Sequence, residues 1–452
     1  MRGLAVLGSL AFAGFSLGSD VPQSSVAATQ LLTELDPNVP TAAEWAERAE
    51  QEGRTLCYLE PDPNGGDDAP ALLEALNEKC RSKSIIVLPG PVYHINSPMV
   101  TTDLEDVVID QRGRLLWSTD TSYWLSVSMP VGFQNQSTVW HFGGARVVWE
   151  GHGVGTLDGN GQVWYDLNRG GSNMAHRPMN VNFRGFSDSV VRGLRFVQSQ
   201  MWTMNIMYSR NLVFEDIYVN STSSTENNSL NTDGADTMYS DNIVFRRWVV
   251  WNGDDAIAVK ANSSNIFIYD SDFYHSTGIA MGSIGQFLGQ YEYIENFLAR
   301  NVTLYETARG CYFKTWTGEQ IGYPPNGGGG GKGYARNIVL EDIKLDRVRQ
   351  EPLFITQCES YSGHAGEGCD TSNFKIEDVV WKDFSGTVDA AVSSAGFFRC
   401  SAGAGGCSNL TFENFTVKQD GQDAVLDKWL CKNVDGDEGF ACEEIQESSE
   451  EL

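Results

Sequence analysis

Two aspartates, Asp254 and Asp255, stand side by side inside the apolar run VVWNGDDAIAVK at residues 249–260. Successive side chains of a strand point to opposite faces, so a regular strand would drive one of them into the core at a cost of several kcal/mol in lost hydration. Three arrangements remove that cost. A bend after Gly253 lets both carboxylates reach one cleft, or one of them is a fully hydrogen-bonded structural group, or both hold a metal ion. A third carboxylate, Asp233 in SLNTDGADTMYS, precedes Asp254 by 21 residues. Carboxylates gathered in one cleft suit general acid–base chemistry, because mutual repulsion lets one hold a proton while another takes one from water.

The elements that must gather them form a repeat. Asn followed by alternating apolar residues recurs in SRNLVFEDIYV at Asn211, SDNIVFRRWVV at Asn242 and SSNIFIYDSDF at Asn265. It returns at Asn296, Asn337, Asn373 and Asn409, with a weaker copy near Ser189, so the steps from Asn211 are 31, 23, 31, 41, 36 and 36. A minimum near 23 with variable additions is the signature of a coil whose turns carry short strands and inserted loops. β-Branched and aromatic residues dominate these phrases and helical periodicity almost vanishes after residue 85. The expected fold is all-β, a right-handed parallel β-helix. A leucine-rich horseshoe lacks its L-x-x-L-x-L frame here.

In such a coil equivalent positions stack about 4.8 Å apart, so Asp233 lies one turn over the 254/255 pair. On the same face follow Thr277 in YHSTGIAMGS and Lys314 in ARGCYFKTWTG. GDDAPALLEALNEKC, with Asp67 or Asp68 as N-cap, Pro70 in the first turn and Leu72, Leu73 and Leu76 on one face, predicts a short helix covering the N-terminal end of the coil.

Composition sets the compartment. MRGLAVLGSLAFAGFSLGSD reads as a secretory signal peptide over residues 1–18, leaving 19–452 as one β-helix domain in a secreted, extracellular protein. Seven N-x-S/T sequons, at Asn135, Asn220, Asn227, Asn262, Asn301, Asn409 and Asn414, agree with that. Eight of the nine cysteines fall into local pairs, 57 with 80, 358 with 369, 400 with 407 and 431 with 442, leaving Cys311 as a free thiol. No C-x-x-C suggests zinc. A net charge of -27 argues against nucleic acid or an anionic membrane as partner.

Asn231-Thr232-Asp233, Gly253-Asp254-Asp255, Ser276-Thr277-Gly278 running to Gly282-Ser283, and Tyr312-Phe313-Lys314 resemble, in order and spacing, four motifs of glycoside hydrolase family 28, the polygalacturonase-type pectinases. TLDGNGQVWYD at residues 156–166 resembles the exo-acting branch. The resemblance implies a monomeric, metal-free and cofactor-free hydrolase of pectic polysaccharide that inverts the anomeric centre. Asp254 would be the general acid, its proton kept by repulsion between the aspartates, and Asp233 with Asp255 the base pair. An inverting pair is expected ~6.5 to 9.5 Å apart, with room for a water. Lys314, Thr277, Tyr312 and Asn231 would line the substrate.

The chain departs from the family pattern at two of these positions. Thr277 stands where the resemblance places a histidine and Tyr312 where it places an arginine, which with Lys314 would grip a galacturonate carboxylate. The first expectation is release of terminal galacturonate from homogalacturonan by cutting α-1,4 bonds. The alternatives are an exo-acting rhamnogalacturonan hydrolase or α-L-rhamnosidase, and an inactive polysaccharide-binding β-helix. His275 is read as a structural histidine and Gln286 as a weaker substrate contact, while residues 221–230 and 317–334 are loops able to close one end of a groove. NGGGGGKGYA at 326–335 lacks the Ser/Thr of a phosphate loop, and EEIQESSEEL at 443–452 is a solvated acidic tail.

Overall fold

The computed structural model describes residues 39–171, 173–359 and 366–445. The expected leader and cleavage point, and most of the acidic tail, lie outside the described residues. Twenty-eight strands join one sheet, and every pairing between them is parallel. Each full turn contributes up to three short strands. Met204–Met207, Arg210–Glu215 and Tyr218–Asn220 are followed one turn on by Ala235–Met238, Asp241–Arg246 and Val249–Trp251, each lying on its predecessor. The fold is a right-handed parallel β-helix.

The repeated asparagine is a corner. Asn211, Asn242, Asn265, Asn296, Asn337 and Asn409 all have φ between 54° and 60°, a left-handed conformation that Asn tolerates better than most residues. Their side chains form a ladder: the amide of Asn242 donates to Asn211 Oδ1 at 2.9 Å, that of Asn296 to Asn265 at 3.1 Å and that of Asn337 to Asn296 at 3.1 Å. One rung differs from the sequence expectation. Ile338 pairs with Val379 and Val379 with Leu410, so the corner in that turn is Asp378 (φ 57°) and Asn373 lies outside the ladder. Asp378 accepts the Asn409 amide at 2.9 Å and so serves as the oxygen of that rung.

Inside the coil, apolar side chains stack in columns such as Leu212, Ile243, Ile266, Phe297, Ile338, Val379 and Leu410, each at most 2% exposed. Each such burial is worth about 1.5–3 kcal/mol, which is why the alternation survives loops of any length. The predicted cap helix begins at Ala69–Glu74 and widens into a π turn at Ala75–Lys79, with Leu72 and Leu76 buried on the core and Leu73 half-buried. A second helix, Ala42–Glu52, starts at a Thr41/Glu44 capping box and lays Trp45 and Ala49 on Ile85, Val87 and Val108. The four expected disulfides form, and Cys311 is free and buried. No helix among the described residues is long and apolar enough to cross a membrane.

Candidate active site

The chain bends where the doubled aspartates require it. Strand Val249–Trp251 ends, Asn252 to Asp254 turn, and strand Asp255–Val259 begins. Thr232 Oγ1 accepts the Gly253 N–H at 3.1 Å and donates to Ser229 O at 2.6 Å, while the Asn252 amide donates to the carbonyls of Thr232 and Asp255 at 2.8 Å. Any Cβ at Gly253 would sit 2.6 Å from Ser229 O, so only glycine lets the two turns approach this closely. One turn above, the Gly234 N–H donates to Asp255 O at 2.9 Å and brings Asp233 over the pair.

One oxygen from each of Asp233, Asp254 and Asp255 lies within 4.8 Å of the others. This is closer than the expected ~6.5 to 9.5 Å, because Asp254 and Asp255 are consecutive residues and Asp233 comes from the next turn, about 4.8 Å away. Asp254 is the accessible member. It accepts the Asn231 backbone N–H at 3.0 Å, the Asn231 amide at 3.4 Å and the Asp255 N–H at 2.9 Å. Asp233 is 3% exposed and its Oδ1 has no partner among the described residues. Burial pushes its carboxyl well above the usual range, the charges of Asp254, Asp236 and Asp255 push the same way, and Lys260 opposes them. Asp255 is raised to about 6 by burial, with Lys314 opposing and Asp254 adding to the rise. The cluster therefore keeps a proton at mildly acidic pH, and can both give a proton and withdraw one from water.

Tyr312 does something its sequence position did not announce. It is 6% exposed, its ring rests on Ala258 and Ala280, the outward residues of the two preceding turns, and its hydroxyl donates to Asp255 Oδ1. The small alanines make the room for that reach. Tyr312 thus backs Asp255, and its ring face is not offered to a sugar. Lys314, two residues on, points into the same cleft. Burial would lower its ammonium, but Asp255 and Glu359, then Asp254 and Asp233, outweigh burial and hold it above the usual lysine range.

Asn231 and Lys314 join the carboxylates around a cavity of about 100 Å³, but Thr277 does not line it. Thr277 lies one turn below, its N–H donating to Asp254 O at 2.7 Å. His275 is on the surface, 3.5 Å from Glu306, and does not line the cavity. Gln286, expected as a substrate contact, is 1% exposed and ties loops together. Sequence reasoning missed Asp236, Lys260 and Trp202. Lys260 is 4% exposed, its Nζ 3.2 Å from Asp236 Oδ1, 3.3 Å from Gly282 O and 5.0 Å from the Trp202 ring centre. Burial raises Asp236 to about 7 against the pull of Lys260. The available signals were a lysine ending the apolar run AIAVK and an aspartate three residues after Asp233.

Three loops roof this cavity. Gln134 donates to Gln286, and Gln286 donates to the carbonyls of Pro325 and Gly327 at 3.1 and 2.9 Å. The Gln136 amide reaches Asn173 at 3.0 Å, and Asn173 and Asn326 bond each other at 3.3 and 3.4 Å. Beneath the clasp Phe133 meets Phe287 and Tyr239 over a floor that includes Met207, Met238 and Trp202.

Comparison with known proteins agrees with this site. Residues 134–442 match the model of glycosyl hydrolases family 28. The chain is 47% identical over 390 residues to alpha-L-rhamnosidase rgxB of Aspergillus niger, covering 86% of this chain and 90% of that one. It is 30% identical over 424 residues to an exopolygalacturonase of Cochliobolus carbonum, covering 93% of each. Its fold matches the endo-xylogalacturonan hydrolase of Aspergillus tubingensis with a TM-score of 0.70 at 24% identity, over 86% of this chain and 99% of that structure. A parallel β-helix carrying these three carboxylates in these motifs thus belongs to glycoside hydrolase family 28, and the chain is a glycosidase of that family of pectin hydrolases.

Proposed function

We propose that the protein is a secreted, exo-acting pectin hydrolase that removes one terminal sugar, and that this sugar is α-L-rhamnose. The clasp carries the exo reading. Gln134, Gln136, Asn173 and Pro325, from all three roofing loops, line the same small cavity as the carboxylates, so the scissile bond lies close to a wall and only a chain end fits. Loop 317–334 is one of the two loops expected to close the groove. The other, 221–230, braces the helix Gln162–Asn168 through Asp166, which accepts from Thr225 at 2.7 Å and Asn227 at 2.9 Å.

Rhamnose stands first because the arginine of the pair that would grip a uronate beside the cut is replaced, leaving Lys314 without its partner cation. Tyr312 replaces an arginine and is bonded to Asp255, Lys260 is held by Asp236 and Gly282 O, and Trp202 gives the cavity wall an aromatic ring suited to a deoxy-sugar methyl. The 47% identical relative carries a rhamnosidase name. Terminal galacturonate is the second reading, favoured by the retained Lys314 and the exopolygalacturonase relative. In both, Asp254 protonates the leaving oxygen, Asp233 and Asp255 hold the water, Asp255 takes its proton, and the anomeric centre inverts.

Side-by-side digestion of trigalacturonate, rhamnogalacturonan oligomers ending in rhamnose or in galacturonate, and an aryl α-L-rhamnoside tests the reading. Rhamnose should leave the rhamnose-ended oligomer and the aryl rhamnoside as monomer from the first minutes. Galacturonate released from trigalacturonate alone would install the second reading, internal fragments would remove the exo assignment, and a retained anomer in the fresh product, read by proton NMR, would remove inversion. Activity that survives EDTA would exclude a calcium role for the aspartates.

A further inference from the structure

Loop 129–139 has two sides, and the carboxylate pocket uses only one of them. On its far side Val131 and Gly132 wall a second cavity of about 370 Å³, completed by Val100, Thr102, His141 and Arg184. His141, Asn182, Asn205 and Asp236 occupy the same outward column in successive turns. At about 4.8 Å per turn the second cavity lies ~14 Å from Asp236, with the clasp between. A chain end seated at the carboxylates cannot thread into it.

The groups around this cavity suit an anionic sugar. Arg184 donates from Nη1 to Val131 O at 3.1 Å and lies 3.2 Å from Met207 Sδ, forms no ion pair among the described residues, and lines the cavity. A planar fork matches a carboxylate bidentately. Its guanidinium carbon sits 5.0 Å above the ring of Tyr208, which is 51% exposed and stacked on Tyr239. His141 is fixed in the wall. The Asn205 amide donates to Asn182 Oδ1 at 2.7 Å, which turns the Asn182 amide nitrogen toward His141 Nδ1 at 2.9 Å. Burial, then the Arg184 charge, lowers His141 against the pull of the Pro130 carbonyl, so the imidazole is a neutral surface at neutral pH. Val100, 45% exposed, adds an apolar face. The volume falls in the range of sites that take small ligands.

We propose that this cavity is a second, non-catalytic saccharide site that grips a uronate-bearing segment of pectic polymer. An enzyme of net charge -27 is repelled by an acidic polymer beyond its cationic spots. A local carboxylate grip tethers it and raises the effective concentration of chain ends at the clasped pocket. The inference does not depend on which sugar is released.

The test uses the full chain. In an Asp254→Asn background, retardation in gels containing polygalacturonate reads binding without turnover. Arg184→Ala and, independently, Val100→Trp, which fills the cavity without touching the arginine, should each weaken it at least about fivefold. In active protein the same substitutions should raise KM on polymer by a similar factor and leave kcat unchanged. Turnover of the small substrate should stay within about twofold of the parent. Trigalacturonate should relieve the retardation and galactose should not. Unchanged retardation in both variants overturns the site. Equal losses on small substrate and polymer also overturn it, because they assign the effect to loop 129–139 and the catalytic pocket. Equal competition by galactose overturns the uronate assignment.

Discussion

At the residue scale the chemistry depends on which of three neighbouring carboxyls meets the substrate. Asp254 is the accessible one, fixed by three N–H donors, whereas Asp233 and Asp255 lie deeper with their carboxyls raised by burial. Asp254→Asn should fold normally, bind oligosaccharide and lose ~10² to 10⁴ in kcat; more than a tenth of parental turnover would take the acid role away from it. Tyr312→Phe removes the O–H that Asp255 accepts and nothing from the core packing. That bond lowers Asp255, so its loss raises the carboxyl further, and the acidic limb of the kcat/KM profile should move up by about one pH unit. An unmoved limb would mean that Asp255 does not titrate as the base.

At the scale of elements, strands set the position of the carboxylates while loops wall the cavity around them. Gln286 bonds both the 131–136 and 317–331 loops directly, through one bond to Gln134 and two to Pro325 and Gly327, beside the longer link Gln136–Asn173–Asn326. Gln286→Ala should loosen the clasp and leave the carboxylates in place. Product analysis should then show oligomers beside monomer, with a faster fall in polymer viscosity. Monomer as the sole product would show that the clasp does not set the exo mode. The corner ladder explains why the repeat was visible at all: a left-handed corner selects Asn or Asp, and each amide needs the oxygen of the turn before. The same rule explains the misplaced copy at Asn373. Asp378 fills the corner equally well, and a reader searching for asparagine alone takes the wrong residue.

For the molecule as a whole, buried acids set a pH window. Glu292 is 3% exposed and raised by burial to about 7, against the pull of the Gly285 N–H that it accepts at 2.9 Å. A folded value above the unfolded one means that the native state binds the proton more tightly. The stability this group contributes is therefore fully present below about pH 4 and is lost as pH climbs through 7, with Asp236 and Asp255 adding to the same slope. Glu292→Gln keeps an acceptor for Gly285, so it should leave the midpoint of urea unfolding unchanged near pH 4 and gain up to roughly 3 kcal/mol near pH 8. An equal gain at both pH values would assign the effect to packing.

By itself the sequence determined the coil, its corners, its disulfide pairs and the meeting of Asp233 with Asp254 and Asp255. These follow from local alternation and from a spacing of 21 residues that matches one turn. Only the tertiary structure decided what surrounds them, because those contacts join residues far apart along the chain. Tyr312 reaches Asp255 across 57 residues over two alanines, Gln134 reaches Gln286 across 152, and Asn173 reaches Asn326 across 153. No periodicity records such pairings. Loop insertions of unconstrained length bring them together, and they set the shape of the cavity around the carboxylates.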